Sequence, residues 1–310
     1  MRGIMHLDTA RKLLQQYPLL RVLLSPVQRM RTRAYRKKKA LQKDVVRNLR
    51  SVLVSDPLVS VEEFQGSFSI DRRSDIFERI AIDGIYEPDL VRDCKQYLDS
   101  DKDVLDIGAN IGFYTVMFAK NINGRRVLAV EPTRNALERL RKNIALNRVE
   151  DRVIVFEGAV SDRAGKATIR VVPGKEEYSS VGVMEHPSIL EEQHVSEEVE
   201  SITVDELVAR HDLHPGFMKV DVEGGEHLVF SGAKNVLSTC RPVILSELSD
   251  FLLTKNGSSS MDVINLIRQY DYDVLDPRDP SGPLGEKAFG DIICLPKETG
   301  IAREIQAAVA

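Results

Sequence analysis

Residues 103–112 read Asp-Val-Leu-Asp-Ile-Gly-Ala-Asn-Ile-Gly, and this stretch decides the fold. An apolar segment from Val104 to Ile107 runs into a loop that contains Gly108 and Gly112, and a helical pattern of apolar residues follows. A strand, a glycine loop and a helix in this order open a nucleotide-type βαβ unit. The glycines let a ligand approach the backbone closely, because no Cβ stands in the way, and the start of the helix offers free N–H groups.

The spacing of these glycines does not match two common phosphate-binding loops. A dinucleotide loop has the pattern G-x-G-x-x-G, and a P-loop ends in Gly-Lys-Ser or Gly-Lys-Thr. Here Gly108 and Gly112 are four residues apart, Asn110 lies between them, and Asp106 precedes them in the strand. A nicotinamide-dependent dehydrogenase is therefore disfavoured. On this stretch alone, an ordinary strand-to-helix turn remains an alternative to a ligand site.

The composition is that of a globular protein of 310 residues, enough for one large domain with an extension. The sequence has no apolar run near the ~18–20 residues that a membrane-spanning helix needs. Cys94, Cys240 and Cys294 are far apart and lack metal or redox spacing. These features predict a cytoplasmic protein.

The charge is concentrated at the amino-terminal end. Residues 1–50 carry fourteen Lys and Arg against Asp8 and Asp44, a net charge of +12, so the remaining 260 residues carry −16. Apolar residues recur at helical spacing from Val27 to Val52, which predicts a basic amphipathic helix. It could pack on its own domain, form a homo-oligomer contact or lie on an anionic membrane as a peripheral anchor.

A second acidic position follows the next predicted strand, Val127 to Val130. Glu131 lies 19 residues after Gly112 and is followed by Pro132. An acid at the end of the second strand is placed to accept hydrogen bonds from ribose hydroxyls. A solvated acid that caps the following helix is the alternative.

The rest of the chain extends the α/β pattern. Before the glycine loop we predict a hairpin over Val59–Ile70 and a helix from Pro88. Later strands are predicted at Val153–Phe156, Met218–Val222, Val243–Leu248, 272–275 and Asp291–Leu295, with helices to Leu237 and over 261–270. An insertion at 163–203 interrupts the pattern, with strands at Ala167–Val172, Ser180–Met184 and Val199–Thr203 and an acidic loop, Glu191–Glu200. Such an insertion is well placed to shape a substrate pocket.

Charged residues gather at the end of the predicted strand Met218–Val222. Residues two apart share a face of a strand, so Lys219, Asp221 and Glu223 are expected on one face if the strand extends that far. Neighbouring carboxylates raise one another's pKa or attract a cation, and Lys219 offsets part of this repulsion. With Glu247, at the end of the next strand, these carboxylates could also hold Mg²⁺ or Ca²⁺, although a divalent cation is not favoured. His227 is another candidate base, and a structural ion-pair cluster is the alternative.

These motifs together resemble the FkbM family of S-adenosylmethionine (SAM) methyltransferases. The motifs that carry the resemblance are Gly84-Ile-Tyr-Glu-Pro88, Asp106-x-Gly-x-Asn-x-Gly112, Glu131-Pro132, Gly158-Ala-Val-Ser-Asp162 and Lys219-x-Asp-x-Glu-Gly-x-Glu226. The resemblance implies a Rossmann-like class I methyltransferase fold, with a seven-stranded mostly parallel sheet, an antiparallel last strand and helices on both faces. It implies that SAM contacts Tyr86, Glu87, Asp106, Gly108, Ala109, Asn110, Gly112, Glu131, Pro132, Ala159, Val160 and Asp162.

The same resemblance implies O-methylation of a sugar, a glycan or another small hydroxylated acceptor. The expected catalytic set is Asp221, Glu223, Lys219, His227 and Glu247. A degenerate SAM-binding module that its basic arm recruits to a partner is the alternative. A nucleic-acid acceptor is not expected, because the chain lacks Asn/Asp-Pro-Pro-Tyr/Phe after the fourth strand and has no Pro-Cys. We divide the chain into a basic arm (1–55), a lead-in (56–102), the methyltransferase domain (103–297) and a tail (298–310).

Overall fold

The computed structural model describes residues 40–46, 48, 50, 53, 55–171, 180–181, 195–279, 284 and 289–299. The chain divides into two compact units, Met1–Val54 and Ser55–Ala310. In the first unit residues 40–46 are helical, as predicted. Most of the predicted helix from Val27 to Val52, His186 and His194 of the insertion and most of the tail lie outside the described residues. No described helix has both the length and the apolar character to cross a membrane.

The second unit is an α/β structure built on three sheets. In chain order its strands are β1 Leu58–Val61, β2 Gly66–Ser69, β3 Asp103–Ile107, β4 Val127–Glu131, β5 Val153–Glu157, β6 Ala159–Val160, β7 Gly165–Val171, β8 Ser180–Val181, β9 Val195–Ile202, β10 Pro215–Val220, β11 Val243–Ser249, β12 Tyr272–Leu275 and β13 Phe289–Pro296. Its α-helices are α1 Asp75–Asp83, α2 Pro88–Tyr97, α3 Phe113–Asn121, α4 Arg134–Leu146, α5 Val204–Arg210, α6 Glu226–Ser231, α7 Asp250–Leu253 and α8 Ser260–Arg268.

The central sheet has seven strands in the order β12-β13-β11-β10-β3-β4-β5. The pairs from β11 to β5 are parallel, whereas β13 runs antiparallel to both β11 and β12. This arrangement confirms the predicted seven-stranded sheet with an antiparallel last strand. Strands β3 and β4 are buried along their whole length, as expected of parallel strands that helices cover on both faces. The order reverses beside β3, and ligands of such sheets bind at that switch point.

Three predicted boundaries are wrong. Strand β10 ends at Val220 rather than at residue 222, so Asp221 and Glu223 follow the strand and are not aligned by its alternation. Strand β9 begins at Val195, where the sequence predicted a polar loop, because its acidic residues pair with β7 along a mostly exposed hairpin. The helix predicted up to Leu237 stops at Ser231, and a separate π-helical turn spans Val236–Cys240.

A buried asparagine of α4 joins the β1–β2 hairpin to the glycine loop. The side chain of Asn143 is fully buried, and its Oδ1 accepts a hydrogen bond from the Ser69 N–H at 2.7 Å. Its amide group donates to the carbonyl oxygens of Ile111 at 2.8 Å and Ser69 at 3.3 Å. One side chain therefore fixes the hairpin to the loop that begins α3.

Replacing Asn143 with leucine is expected to lower the free energy of unfolding by about 3 kcal/mol, because it leaves buried backbone groups of Ser69 and Ile111 without partners. Urea denaturation measures this change. The matched control is Asn265→Leu, on the exposed side of α8, where a change within about 0.5 kcal/mol is expected. Equal effects of the two substitutions would contradict the structural role of Asn143.

Candidate active site

A cavity of about 480 Å³ lies along the carboxyl ends of five neighbouring strands. Residues that follow β3, β4 and β5 line one half of it, and residues at the ends of β10 and β11 line the other. Helices α1, α3, α6 and α7, strand β7 and the residues just before α2 contribute further lining residues. Pockets of about 300–1,000 Å³ are typical of sites for small ligands and cofactors. The glycine loop lies between the two halves, because β3 stands between β4 and β10 in the sheet.

Gly108 is placed where no side chain fits. Its φ is +85°, and a Cβ at this position would lie 1.8 Å from the carbonyl oxygen of Asp221. The N–H groups of Gly108 and Ala109 both donate to the carbonyl of Val130, which ties the loop to the end of β4. The loop is therefore held between β4 and the turn after β10, with its backbone against the cavity.

Three hydrogen bonds hold the carboxylate of Glu131 in the β4–β5 half. Its Oε1 accepts hydrogen bonds from the N–H and the hydroxyl of Thr133, at 2.9 and 2.7 Å. Its Oε2 accepts one from the N–H of Asn110 at 2.9 Å. Burial raises the pKa of Glu131, while the bonds from Thr133 and Asn110 act in the opposite direction. Since a carboxylate oxygen can accept two hydrogen bonds, Oε2 keeps an acceptor position for a ligand that enters the cavity.

The walls around Glu131 are mostly apolar. Gly158, Ala159, Val160 and Ile169 line this half. Ile169 belongs to β7, in the insertion. The described part of the insertion therefore contributes to the β4–β5 half, rather than to the half that carries the other acidic groups.

Lys219 is the buried cation of the β10–β11 half. It is 3% exposed, its Nζ donates to Asp221 Oδ2 at 3.0 Å, and it lies 4.6 Å from the centre of the Tyr114 ring. Burial opposes its charge, but the carboxylates of Asp221 and Asp106 raise the pKa of Lys219 above its ordinary value. Lys219 therefore stays positively charged at neutral pH, so it offsets carboxylate repulsion and does not act as a base.

Three carboxylates accompany Asp221 in this half. Burial and the charges of Asp221 and Glu247 raise the pKa of Glu223 well above its ordinary value. Burial, Asp221 and Asp291 raise the pKa of Glu247 to about 8. Glu226 is buried, accepts bonds from the N–H groups that follow β10, and has a pKa raised to about 7, chiefly by burial. Part of this cluster therefore carries protons at neutral pH.

Glu223 enters the cavity through an unusual backbone conformation. Its φ is +52°, in the left-handed region that glycine favours, and Gly224 follows with a φ of +97°. A left-handed conformation costs a non-glycine residue on the order of 1 kcal/mol and persists where the surrounding structure enforces it. This turn replaces the strand alternation that the sequence predicted, and it brings Asp221 and Glu223 to the same cavity.

The lead-in before β3 forms an aromatic wall with a carboxylate in it. The Tyr114 hydroxyl donates to Glu87 Oε2 at 2.8 Å, and Glu87 has a φ of +47°. The Tyr86 ring packs 5.5 Å from Phe113 between ring centres, and Phe113 lies 4.9 Å from Phe64. Burial and the charge of Asp221 raise the pKa of Glu87. Glu87 therefore belongs electrostatically to the β10–β11 half.

Most predicted site residues meet in this cavity. Those that line it are Tyr86, Glu87, Gly108, Ala109, Asn110, Glu131, Pro132, Ala159, Val160, Lys219, Asp221, Glu223 and Glu247. Four of the predicted residues are not among those that line it: Asp106, Gly112, Asp162 and His227.

The four remaining residues have other positions. Asp106 is fully buried on β3 and pairs with Lys219 in register; its Oδ2 accepts from the Thr115 hydroxyl at 2.5 Å. Gly112 has a φ of +89° and precedes α3, where a Cβ would meet Leu140. Asp162 is exposed after β6, and His227 is partly exposed on α6. Asp106 and Gly112 therefore support the glycine loop from behind.

Several lining residues were not predicted. Tyr114 and Phe113 match the apolar pattern of α3, so the sequence predicts that they are core residues and does not indicate a role at the cavity. Arg79 lies on α1, in a lead-in that carries no ligand-binding motif beyond Tyr86 and Glu87. Among the described residues, no group of three or more His, Cys, Asp or Glu is arranged to hold a metal ion.

The comparisons with known proteins agree with the resemblance found in the sequence. The model of the methyltransferase FkbM domain matches residues 106–274. The hexuronic acid methyltransferase AglP of Haloferax volcanii is 26% identical over 203 residues, which cover 64% of this chain and 77% of AglP. The antimetabolite synthetase AmbE of Pseudomonas aeruginosa is 32% identical over 106 residues, 34% of this chain and 5% of AmbE.

A solved structure completes the comparison. The crystal structure of an FkbM methyltransferase from Methylobacillus flagellatus KT is 17% identical, with a TM-score of 0.43, and the match covers 64% of this chain. This chain spans 44% of the length of that protein. The family model extends from Asp106 in β3 to β12. It therefore includes the glycine loop, Glu131 and the acidic cluster. Because the match covers more than half of the sequence, the chain belongs to the methyltransferase FkbM domain family.

Proposed function

We propose that this methyltransferase uses SAM to methylate an oxygen of a small hydroxylated acceptor, namely a sugar acid. The observation that carries the proposal is the division of one cavity into two halves of different chemistry. The β4–β5 half has one ordered carboxylate and apolar walls, and the β10–β11 half has a cluster of carboxylates around one buried lysine. The name of the relative AglP, a hexuronic acid methyltransferase, supports a sugar acid as the acceptor.

The β4–β5 half fits the nucleoside part of SAM. Gly108 leaves room for a ligand against the backbone, and Glu131 Oε2 offers a hydrogen-bond acceptor to a ribose hydroxyl. Ala159, Val160 and Ile169 offer an apolar surface to a flat base. The acidic half complements a cation, and the sulfonium of SAM supplies an activated methyl group when it is bound.

The β10–β11 half suits activation of a hydroxyl group. A sugar hydroxyl is a poor nucleophile until its proton is withdrawn, and an efficient base has a pKa near the working pH. Glu247 and Glu223 have raised pKa values, and Asp221 is paired with Lys219. We assign the base to this group of carboxylates, with Lys219 as the positive charge that lets them share the cavity. Placement of the acceptor oxygen supplies the rest of the rate enhancement.

The raised pKa values predict that SAM binding depends on pH. Below about pH 8 Glu247 holds a proton in the free protein, and a cation in the cavity favours its release. The affinity for SAM relative to S-adenosylhomocysteine, which lacks the sulfonium charge, is therefore expected to rise about tenfold between about pH 6.5 and 8.5. Calorimetry in two buffers with different ionisation enthalpies measures both the affinities and the protons released.

SAM and S-adenosylhomocysteine carry the same amino group, so its titration cancels in the ratio of their affinities. Glu247→Gln is expected to reduce the rise of this ratio with pH, because it removes one of the protons that SAM displaces. A ratio that stays constant with pH in the unaltered protein would show that the acidic half does not face the sulfonium.

The cofactor assignment has its own test. Calorimetric titration with SAM, S-adenosylhomocysteine and NAD is expected to give saturable binding for the first two ligands and none for NAD. Glu131→Gln should weaken SAM by about tenfold, because a neutral amide accepts a weaker hydrogen bond than a carboxylate. Binding of NAD alone would refute the proposed function.

A further inference from the structure

The solvent end of the cavity holds an arginine that the proposed chemistry does not use. Two of the described residues that line the cavity are basic, Lys219 and Arg79. Lys219 is buried and donates to Asp221. Arg79 lies on α1 and is exposed, so a ligand at the opening can reach its guanidinium.

Arg79 lies over the acidic half of the cavity. Its guanidinium carbon is 5.9 Å from the centre of the Tyr86 ring. Tyr86 is next to Glu87, whose carboxylate accepts the Tyr114 hydroxyl, and the Tyr114 ring lies against Lys219. These contacts connect Arg79 to the β10–β11 half of the cavity rather than to the half that contains Glu131 and the apolar walls.

The other ionisable residues of the lining are mostly acidic and disfavour the binding of an anion. The acidic residues that line the cavity are Asp75, Glu87, Glu131, Asp221, Glu223, Glu226 and Glu247. A negatively charged acceptor is repelled by those of these groups that are ionised, and like charges brought together in this way cost several kcal/mol. Among the described lining residues Arg79 is the exposed basic one, and a guanidinium matches a carboxylate with two parallel hydrogen bonds.

We propose that Arg79 is a specificity-determining residue that binds a carboxylate of the methyl acceptor at the opening of the cavity. The acceptor is then a sugar acid, with its acid group on Arg79 and its reacting oxygen deeper, beside Asp221 and Glu223. This inference rests on the proposed function, because it assumes that the acidic half receives the acceptor. The methionine part of SAM also carries a carboxylate, so the test must separate the two sources.

The test measures binding by calorimetry to protein saturated with S-adenosylhomocysteine. The probes are methyl β-D-glucuronide and methyl β-D-glucoside. The first carries a carboxylate where the second carries a neutral hydroxymethyl group. The unaltered protein is expected to bind the glucuronide at least about tenfold more tightly. Arg79→Gln should abolish this preference, and Arg79→Lys should keep part of it, because lysine retains the charge without the planar fork.

The controls separate the acceptor role from other roles. Arg92→Gln removes an exposed arginine of α2 that pairs with Asp89 and Asp93, and it should keep the preference for the glucuronide. Arg79→Gln should change the affinity for S-adenosylhomocysteine by less than about threefold. A loss of about tenfold or more there would assign Arg79 to the cofactor carboxylate and overturn the proposal.

Two other results overturn the inference about Arg79. One is equal binding of the two sugars by the unaltered protein, including the absence of binding of either. The other is a preference for the glucuronide that survives in Arg79→Gln. Failure of the proposed function gives a different result, since the unaltered protein would then not bind S-adenosylhomocysteine at all.

Discussion

Replacing Gly108 with alanine is expected to weaken SAM binding by about 100-fold, equivalent to about 2.7 kcal/mol. The new Cβ would lie 1.8 Å from the carbonyl oxygen of Asp221, so the loop or the turn after β10 must move. A φ of +85° adds a conformational cost for any residue other than glycine. Both effects displace the backbone that faces the cavity. Calorimetry with SAM measures the loss, on protein shown by circular dichroism to be folded.

Gly124→Ala separates the clash from the conformational cost. Gly124 also has a positive φ, +67°, but a Cβ there would meet nothing within 4 Å. It lies between α3 and β4, outside the cavity. Gly124→Ala should therefore bind SAM as the unaltered protein does. If Gly108→Ala and Gly124→Ala bind SAM equally well, the close approach of Gly108 to Asp221 has no role in ligand binding.

The acidic half should control turnover, with little effect on the binding of S-adenosylhomocysteine, which lacks the sulfonium charge. Asp221→Asn, Glu223→Gln and Glu247→Gln each keep the size of the side chain but remove its capacity to take up a proton. We expect kcat to fall by about 100-fold or more in the variant that removes the base, a typical contribution of general base catalysis. The Kd for S-adenosylhomocysteine should change by less than about threefold in all of them.

The pH profile identifies which carboxylate is the base. Because Glu247 has a pKa of about 8 in the free protein, kcat/KM is expected to rise with pH up to that region. The variant that removes the base should lose this rise, while the other two should shift it, since each carboxylate raises the pKa of its neighbours. Glu138→Gln, on the exposed side of α4, is the control and should leave turnover unchanged. Turnover within about threefold of normal in all three variants would place the acceptor elsewhere.

The sequence predicts this cavity where local pattern and topology agree. The apolar strand before Gly108 is long enough to define β3, and parallel topology then brings the ends of β4, β5, β10 and β11 to one edge of the sheet. Glu131 could be predicted because it ends β4. The seven-stranded sheet and its antiparallel strand came from the family resemblance, not from periodicity.

The details that depend on tertiary contacts could not be predicted. Strand β10 ends at Val220, and a left-handed Glu223 brings its carboxylate into the cavity, a conformation that sequence propensity disfavours. Tyr114 looks like a core residue of α3, although its hydroxyl bonds to Glu87 across a separation of 27 residues. The first part of strand β9, from Val195, was predicted as a loop because of its acidic residues, whereas pairing with β7 supplies partners for its backbone groups.

One measurement tests the central claim that this cavity joins a SAM site to an acceptor site. Protein is incubated with SAM labelled in its methyl group and a panel of uronic acids, neutral sugars and phenols, and the products are treated with mild alkali. The account predicts label in a uronic acid, held as an alkali-stable ether, and loss of that product in at least one of Asp221→Asn, Glu223→Gln and Glu247→Gln. Alkali-labile label would mean that the acceptor oxygen belongs to a carboxylate and needs no base. The absence of labelled product from every acceptor, or undiminished labelling by all three of these variants, would contradict the account.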